Sequence, residues 1–322
     1  MAHPRILRES LDWRGAGLRY YAYVHFLRAL FGERVQKVSV DAGFTCPNVD
    51  GTVTIGGCNF CDNRSFSPSR RLPRQGIRGQ MEEGMKRLKR KYPDCEKYLA
   101  YFQPATNTYG SIEKLRRVYF EALDHPQVVG IAIGTRPDCL GNEVLELLAE
   151  LQSQTYLALE IGMQSIHDRS LDWMNRGHHH DSFLDAVARC RQFGIEVCVH
   201  VILGIPGETH DDMLATAREL ARLEVDAVKI HNLYAVRKTP LGEQVERGEV
   251  QLMERAEYLQ VLIDFLELLP PTTVVERISG DAPTDYFLGP AWCLDKPGML
   301  IAFKAEMERR NTWQGRLFEA AS

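Results

Sequence analysis

Three cysteines, Cys46, Cys58 and Cys61, share one glycine-rich stretch, FTCPNVDGTVTIGGCNFC. Three thiolates can hold a metal centre and leave one coordination position open, whereas a fourth protein ligand closes it into a structural site. Iron–sulfur clusters are normally held by four thiolates, so a cluster on three keeps one iron available to another ligand. Gly51, Gly56 and Gly57 lie between Cys46 and Cys58. They let backbone approach a bulky inorganic centre without a Cβ in the way, and their N–H groups can donate to sulfur. The spacing favours iron–sulfur and leaves zinc and coincidence open. A zinc site wants a fourth ligand, and neither His25 nor His125 has ligand spacing to the cysteines. Cys58-x-x-Cys61 also fits a redox pair, but no thioredoxin-like unit surrounds it.

Further polar groups recur at the ends of strand-like runs. Gln103 and Asn107 follow the second run, Thr135, Arg136 and Asp138 the third, and Glu160 to Gln164 closes the fourth. The fifth carries His200 and ends in Gly204-Ile205-Pro206. Each has a plain reading as a cap or turn, but their repetition at equivalent positions reads as a site. Arg176 can fork onto a carboxylate. His178, His179 and His180 are adjacent and point in different directions, so they are left out as a ligand set.

These groups need a scaffold. Strand-like runs at Lys37–Asp41, Tyr98–Gln103, Val128–Gly134, Tyr156–Gly162, Val197–Leu203 and Ala227–Leu233 alternate with helical patterns, which indicates a parallel α/β architecture. The runs are apolar rather than alternating, as expected for strands covered on both faces. Val144, Leu147, Leu148 and Leu151 repeat at helical spacing, as do Leu115, Val118, Tyr119 and Ala122 after Ser111. Ser182 with Asp185, and Thr209 with Asp212, read as capping boxes. Six such units predict a partial (β/α)6 TIM-like barrel, with an open doubly wound sheet as the alternative. In a barrel, chemistry collects on loops at the C-terminal strand ends, which is where the cysteine loop falls. The expected division is an N-terminal helical segment (1–36), the barrel (37–240) and a C-terminal α+β extension (241–322). That extension is expected to hold a helix over Leu252–Leu268, a strand at Thr273–Arg277 and a helix over Met299–Arg310.

The 322 residues are 44% hydrophobic and 25% charged, the composition of a globular protein with ample core. No apolar run nears the roughly 18 residues of a membrane span. The N-terminus lacks a signal-peptide apolar core, so a cytoplasmic location is expected. Eight cysteines there favour metal or catalytic roles over disulfides. The isolated Cys95, Cys139, Cys190, Cys198 and Cys293 are expected to be small core residues. The net charge of −4 argues against indiscriminate nucleic-acid binding. From Arg64 to Lys91, however, the chain is strongly basic and includes Arg70, Arg71, Arg74 and Arg78. That stretch is either a phosphate-contacting patch or a solvated helix face.

The ordered blocks DAGFTCPNVDGT, GGCNFC, YFQPATNTYGS, GTRPDCL, NRGH, VILGIPGET, VKIHNLYAVRKTPL, RISGDAP and TWQG resemble the radical S-adenosylmethionine (radical SAM) enzymes. They are most similar to the bacterial subgroup related to the radical SAM domain of the Elongator catalytic subunit. The family's usual CxxxCxxC is replaced here by the longer Cys46–Cys58 gap. The resemblance implies a [4Fe–4S] cluster on Cys46, Cys58 and Cys61, with S-adenosylmethionine on the open iron and cleaved by one electron to a 5′-deoxyadenosyl radical. It implies that Gln164 contacts the ribose, Arg176 the carboxylate and Gly204-Ile205-Pro206 the adenine. His200 and Glu160 are further cofactor-side positions, and Gln103, Asn107, Thr135, Arg136 and Asp138 are pocket candidates. It also implies a one-electron donor such as flavodoxin or ferredoxin. Relatives suggest tRNA as substrate, with a wobble-uridine carboxymethylaminomethyl group shortened to aminomethyl. The alternatives are a protein or small-metabolite substrate and, from another class, a non-catalytic zinc-binding protein.

Overall fold

The structure is a computed structural model that describes residues 4–63, 67, 75–280 and 284–320. Seven parallel strands form one open sheet: β1 (Val35–Val40), β2 (Lys97–Phe102), β3 (Val128–Thr135), β4 (Tyr156–Gln164), β5 (Val197–Leu203), β6 (Ala227–Asn232) and β8 (Val274–Arg277). A separate two-residue β7 (Ala235–Val236) pairs with β9 (Phe287–Gly289). The sheet therefore has one strand more than the six expected, because β8 pairs with β6 in parallel through Ala227–Val274 and Val228–Val275. The sheet curls into a half-barrel with β1 and β8 at its two edges.

The convex face packs on crossover helices. Val38, Val40, Ala100, Phe102, Ile131, Ile133, Leu159, Ile161, Val199, Val201, Val228 and Ile230 belong to one buried cluster with the helical Leu115, Tyr119, Leu148, Phe183, Ala217 and Leu262. Alternate residues of the same strands turn the other way and line a cavity of about 1030 Å3. The central strands β2, β4 and β5 are buried on both faces, as expected, but the concave face is polar rather than apolar, because it carries Lys37, Tyr101, Glu160, His200 and Lys229. Helix Tyr23–Phe31 plugs the floor, packing Phe26, Leu27, Leu30 and Phe31 on Val35, Leu99 and Val274 at the strand starts.

Helix Ile112–Leu123 starts at Ser111, whose hydroxyl accepts from the Lys114 N–H, and helix His210–Arg222 opens with the full Thr209/Asp212 box. The Ser182/Asp185 box does not form. That helix begins earlier, at His180, where the Asp168 carboxylate accepts the His180 N–H at 2.9 Å and displaces Ser182 into the first turn. Beyond the barrel, helices Arg255–Leu268 and Lys296–Arg309 lie close to their expected bounds. Among the described residues no helix is long and apolar enough to cross a membrane. Cys95, Cys190, Cys198 and Cys293 are buried as expected; Cys139 is half-exposed, its thiol 3.9 Å from Asp138 at the rim.

Candidate active site

Cys46, Cys58 and Cys61 line the same cavity at the C-terminal ends of the strands. The loop carrying them turns back on itself. Val49 and Asp50 donate to the Cys46 carbonyl, Gly57 donates to Asn48, and the Cys61 N–H reaches the Cys58 carbonyl at 3.0 Å. Gly56 and Gly57 have φ of 88° and 78°, a backbone that disfavours any side chain. Conformation rather than a nearby atom explains them, since a Cβ on Gly56 would meet nothing within 4 Å.

The loop sits on segment 173–178. Asn59 donates to the Trp173 carbonyl at 2.7 Å, and Asn175, itself at φ 53°, donates to the Gly57 carbonyl at 2.7 Å. A Cβ on Gly177 would stand 2.6 Å from Val53 and 2.8 Å from Asn48, so only glycine lets the two segments meet. Two donors converge on one thiol: Asn48 Nδ2 at 3.4 Å and Arg176 Nη1 at 3.3 Å from Cys58 Sγ. The Cys61 thiol is pushed up by burial and by the negative charges that Cys58 and Cys46 would carry. Three thiolates crowded into one wall repel one another until a cationic centre compensates them, and the buried Arg176 Nε and Arg136 Nη1 have no partner. This donor set suits an iron–sulfur cluster with space beside it. Among the described residues no three His, Cys, Asp or Glu converge on a single metal ion.

The other expected residues divide. Gln103, Thr135, Arg136, Glu160, Gln164, Arg176 and His200 all line the cavity. Gln164 is held at φ 73°, its amide packed where a Cβ on Gly162 would lie. Arg136 is clamped by both oxygens of Asp138, at 2.9 and 2.7 Å, so Asp138 acts on the cavity through Arg136. Asn107 is turned away, its amide donating to the Phe102 and Gly134 carbonyls and stapling the ends of β2 and β3. The Gly204–Pro206 loop stays outside the cavity wall, and Ile205 packs with Leu171, Met174, Ile202 and Leu233.

Glu160 proves to be a hub. Its carboxylate accepts from Lys37 (2.6 Å), Lys229 (2.6 Å), Tyr101 (2.8 Å) and His200 (2.7 Å), and Lys37 also holds Glu276 at 2.6 Å. Burial opposes the charge on Glu160, but Lys229 and Lys37 prevail and hold it well below the usual carboxylate range. His200 is lowered by burial and by Lys229. Lys37, Tyr101, Lys229, Glu276, Asn48 and His178 were not singled out from the sequence as site residues. A lysine inside the apolar run of β6 was the available signal for Lys229, whereas Lys37, at the start of its strand-like run, carried none. Arg64, Arg70, Arg71 and Arg74 of the basic stretch lie outside the described residues. Its helix, Ile77–Lys91, pairs Arg78 with Glu82 and Lys89 with Glu96.

A parallel half-barrel with thiols and cationic groups on its C-terminal rim defines a cofactor-dependent α/β enzyme. The chain matches the radical SAM superfamily over residues 55–220 and the Radical_SAM C-terminal domain over residues 225–309. It is 40% identical over 301 residues to the uncharacterized protein YtqA of Bacillus subtilis, covering 94% of this chain and 93% of that one. It belongs to the radical SAM superfamily, whose enzymes use a [4Fe–4S] cluster and S-adenosylmethionine. That membership displaces the non-catalytic zinc-binding alternative. Over 176 residues it is 26% identical to a tRNA uridine(34) acetyltransferase of Methanocaldococcus jannaschii, covering 54% of this chain and 32% of that one. The Elp3 structure of Methanocaldococcus infernus shares the fold, with a TM-score of 0.65 at 18% identity, 87% of this chain and 64% of that one.

Proposed function

We propose that Cys46, Cys58 and Cys61 hold the cluster and that this enzyme modifies tRNA at the C5 side chain of the wobble uridine, shortening carboxymethylaminomethyl to aminomethyl. That change is a two-electron oxidation in which S-adenosylmethionine would be the oxidant and water would release the two-carbon fragment as glyoxylate. The observation that carries the first half is the convergence of three free cysteines on one cavity wall, with two side-chain donors on Cys58. When bound, the cluster and S-adenosylmethionine supply one-electron cleavage of the C5′–S bond and a hydrogen-abstracting carbon radical. The electron comes from a small donor such as flavodoxin or ferredoxin. Gln164 and Arg176 meet the ribose and carboxylate of S-adenosylmethionine, Gly204-Ile205-Pro206 backs its adenine from behind the wall, where Ile205 packs on the cavity-lining Ile202 and Leu233, and Arg136, fixed by Asp138, adds a cation to the wall. Glu160 and His200 are further cofactor-side positions on the cavity wall, while Gln103 and Thr135 border it and Asn107 holds the strand ends behind them.

The tRNA reading is supported by the likeness to tRNA uridine(34) acetyltransferases and by the basic helix Ile77–Lys91. On the same reading the chain divides into 1–36, 37–240 and 241–322, with the last part lending β8 to the sheet. Reductant-dependent 5′-deoxyadenosine formation, lost in Cys58→Ala, tests the cluster assignment; unchanged cleavage in that variant refutes it. Nucleoside mass spectrometry of tRNA from cells lacking the protein tests the substrate. An unaltered wobble-uridine profile would turn the search to proteins or small metabolites.

A further inference from the structure

His178 was set aside as a metal ligand, yet it is buried one step behind the cysteines. Arg176 Nη1 donates to Cys58 Sγ at 3.3 Å, while its Nη2 donates to the Gly162 carbonyl at 2.8 Å and lies 3.1 Å from His178 Nε2. A guanidinium has no lone pair, so this contact requires an unprotonated Nε2. The proton then sits on Nδ1, which lies 3.3 Å from the His179 carbonyl. The imidazole is thus neutral and pinned at both ends, and it fixes the plane of the guanidinium. Burial, Arg176 and Arg136 lower the His178 pKa to about 3, which agrees with this tautomer. Asn48 steadies the other side, its amide reaching the Asn175 carbonyl (2.6 Å), the Arg176 carbonyl (2.9 Å) and Cys58 Sγ (3.4 Å). Hydrogen bonds to ligating sulfur tune cluster potential, and groups that orient first-sphere residues matter nearly as much as the ligands. A donor on sulfur draws charge from the thiolate and favours the reduced cluster.

We propose that His178 is a positioning residue for the metal centre: it locks Arg176 against the Cys58 sulfur, and the Arg176–His178 pair raises the reduction potential of the cluster held there. The inference rests on the assignment of Cys58 as a cluster ligand. The test is a potentiometric titration, followed by electron paramagnetic resonance, of the anaerobically reconstituted full chain without S-adenosylmethionine. His178→Phe, which cannot accept from Arg176, is expected to move the midpoint negative by about 59 mV, the one-electron equivalent of tenfold in the reduction equilibrium. His178→Gln, which keeps an acceptor, is expected to stay near wild type. In an Arg176→Gln background His178→Phe is expected to add no further shift, a non-additivity that a purely structural role would not produce. If His178→Phe does not load, His178→Asn, too short to reach Arg176, takes its place under the same criteria. A midpoint insensitive to His178, or one shifted equally in both backgrounds, overturns the inference alone. A wild-type chain that forms no cluster overturns the cysteine assignment with it.

Discussion

Lys37 on the first strand of the sheet holds Glu276 on the last, Nζ to Oε2 at 2.6 Å, across an opening that no strand pairing closes. The same ammonium reaches Glu160 on the central β4 at 2.6 Å. A half-barrel has two edges, and this lysine ties them together, while the Tyr21 carbonyl accepts the Val275 N–H at 2.8 Å and covers part of the β8 edge. The ion pairs are buried, Glu160 at 0% and Glu276 at 3% side-chain exposure, so removing one partner strands a charge.

Lys37→Met is therefore expected to destabilise the chain by about 3 kcal/mol, the lower end for breaking a buried pair. Chemical denaturation of the apo protein measures it. A loss below the cost of an ordinary surface substitution would mean that water, not Lys37, compensates the two carboxylates.

His178 gives a pH dependence of known sign. Its folded-state pKa of about 3 lies below its ordinary 6.5, so the unfolded chain binds the proton first as pH falls. The stability it contributes is fully present above pH 6.5 and is lost as pH drops from there toward 3, with a slope approaching about 1.4 kcal/mol per unit. Apo His178→Gln is expected to show a shallower decline over that window. Identical slopes would show that His178 takes a proton without unfolding anything.

Gly162→Ala probes the S-adenosylmethionine side. A Cβ there would lie 2.7 Å from Gln164 Nε2 and 3.3 Å from Arg176 Nη2, so both side chains must shift. Binding of S-adenosylmethionine to the reconstituted enzyme is expected to weaken about tenfold, or about 1.4 kcal/mol, with the melting temperature of the apo chain nearly unchanged. Unaltered affinity would remove Gln164 and Arg176 from the cofactor contacts.

Gly177→Ala probes the seat of the cysteine loop. The residue has φ 66°, and its Cβ would meet Val53, Asn48 and Thr54 within 2.8 Å. Strain of this kind costs about 1–3 kcal/mol. It is expected to appear as lost iron and sulfide per chain after reconstitution, because the loop must lift. Full metal content would show that the loop reseats without its partner.

The sequence by itself determined the periodic parts: six strands within two residues of their ends, the caps at Ser111 and Thr209, and the cysteine loop on the C-terminal rim. These depend on neighbours along the chain, where side-chain period and capping chemistry act locally. The tertiary structure alone decided what meets across the sheet. It gave β8 to the barrel, turned Lys37, Glu160, Lys229 and Glu276 into one interior network, and turned Asn107 to the backbone. It also set Asn48 and His178 behind Cys58, although 10 residues separate Asn48 from that thiol and 118 separate it from the Arg176 that His178 steadies. Such contacts are fixed by strand register and loop closure, which no local pattern encodes, and they govern how charge is placed around the thiols.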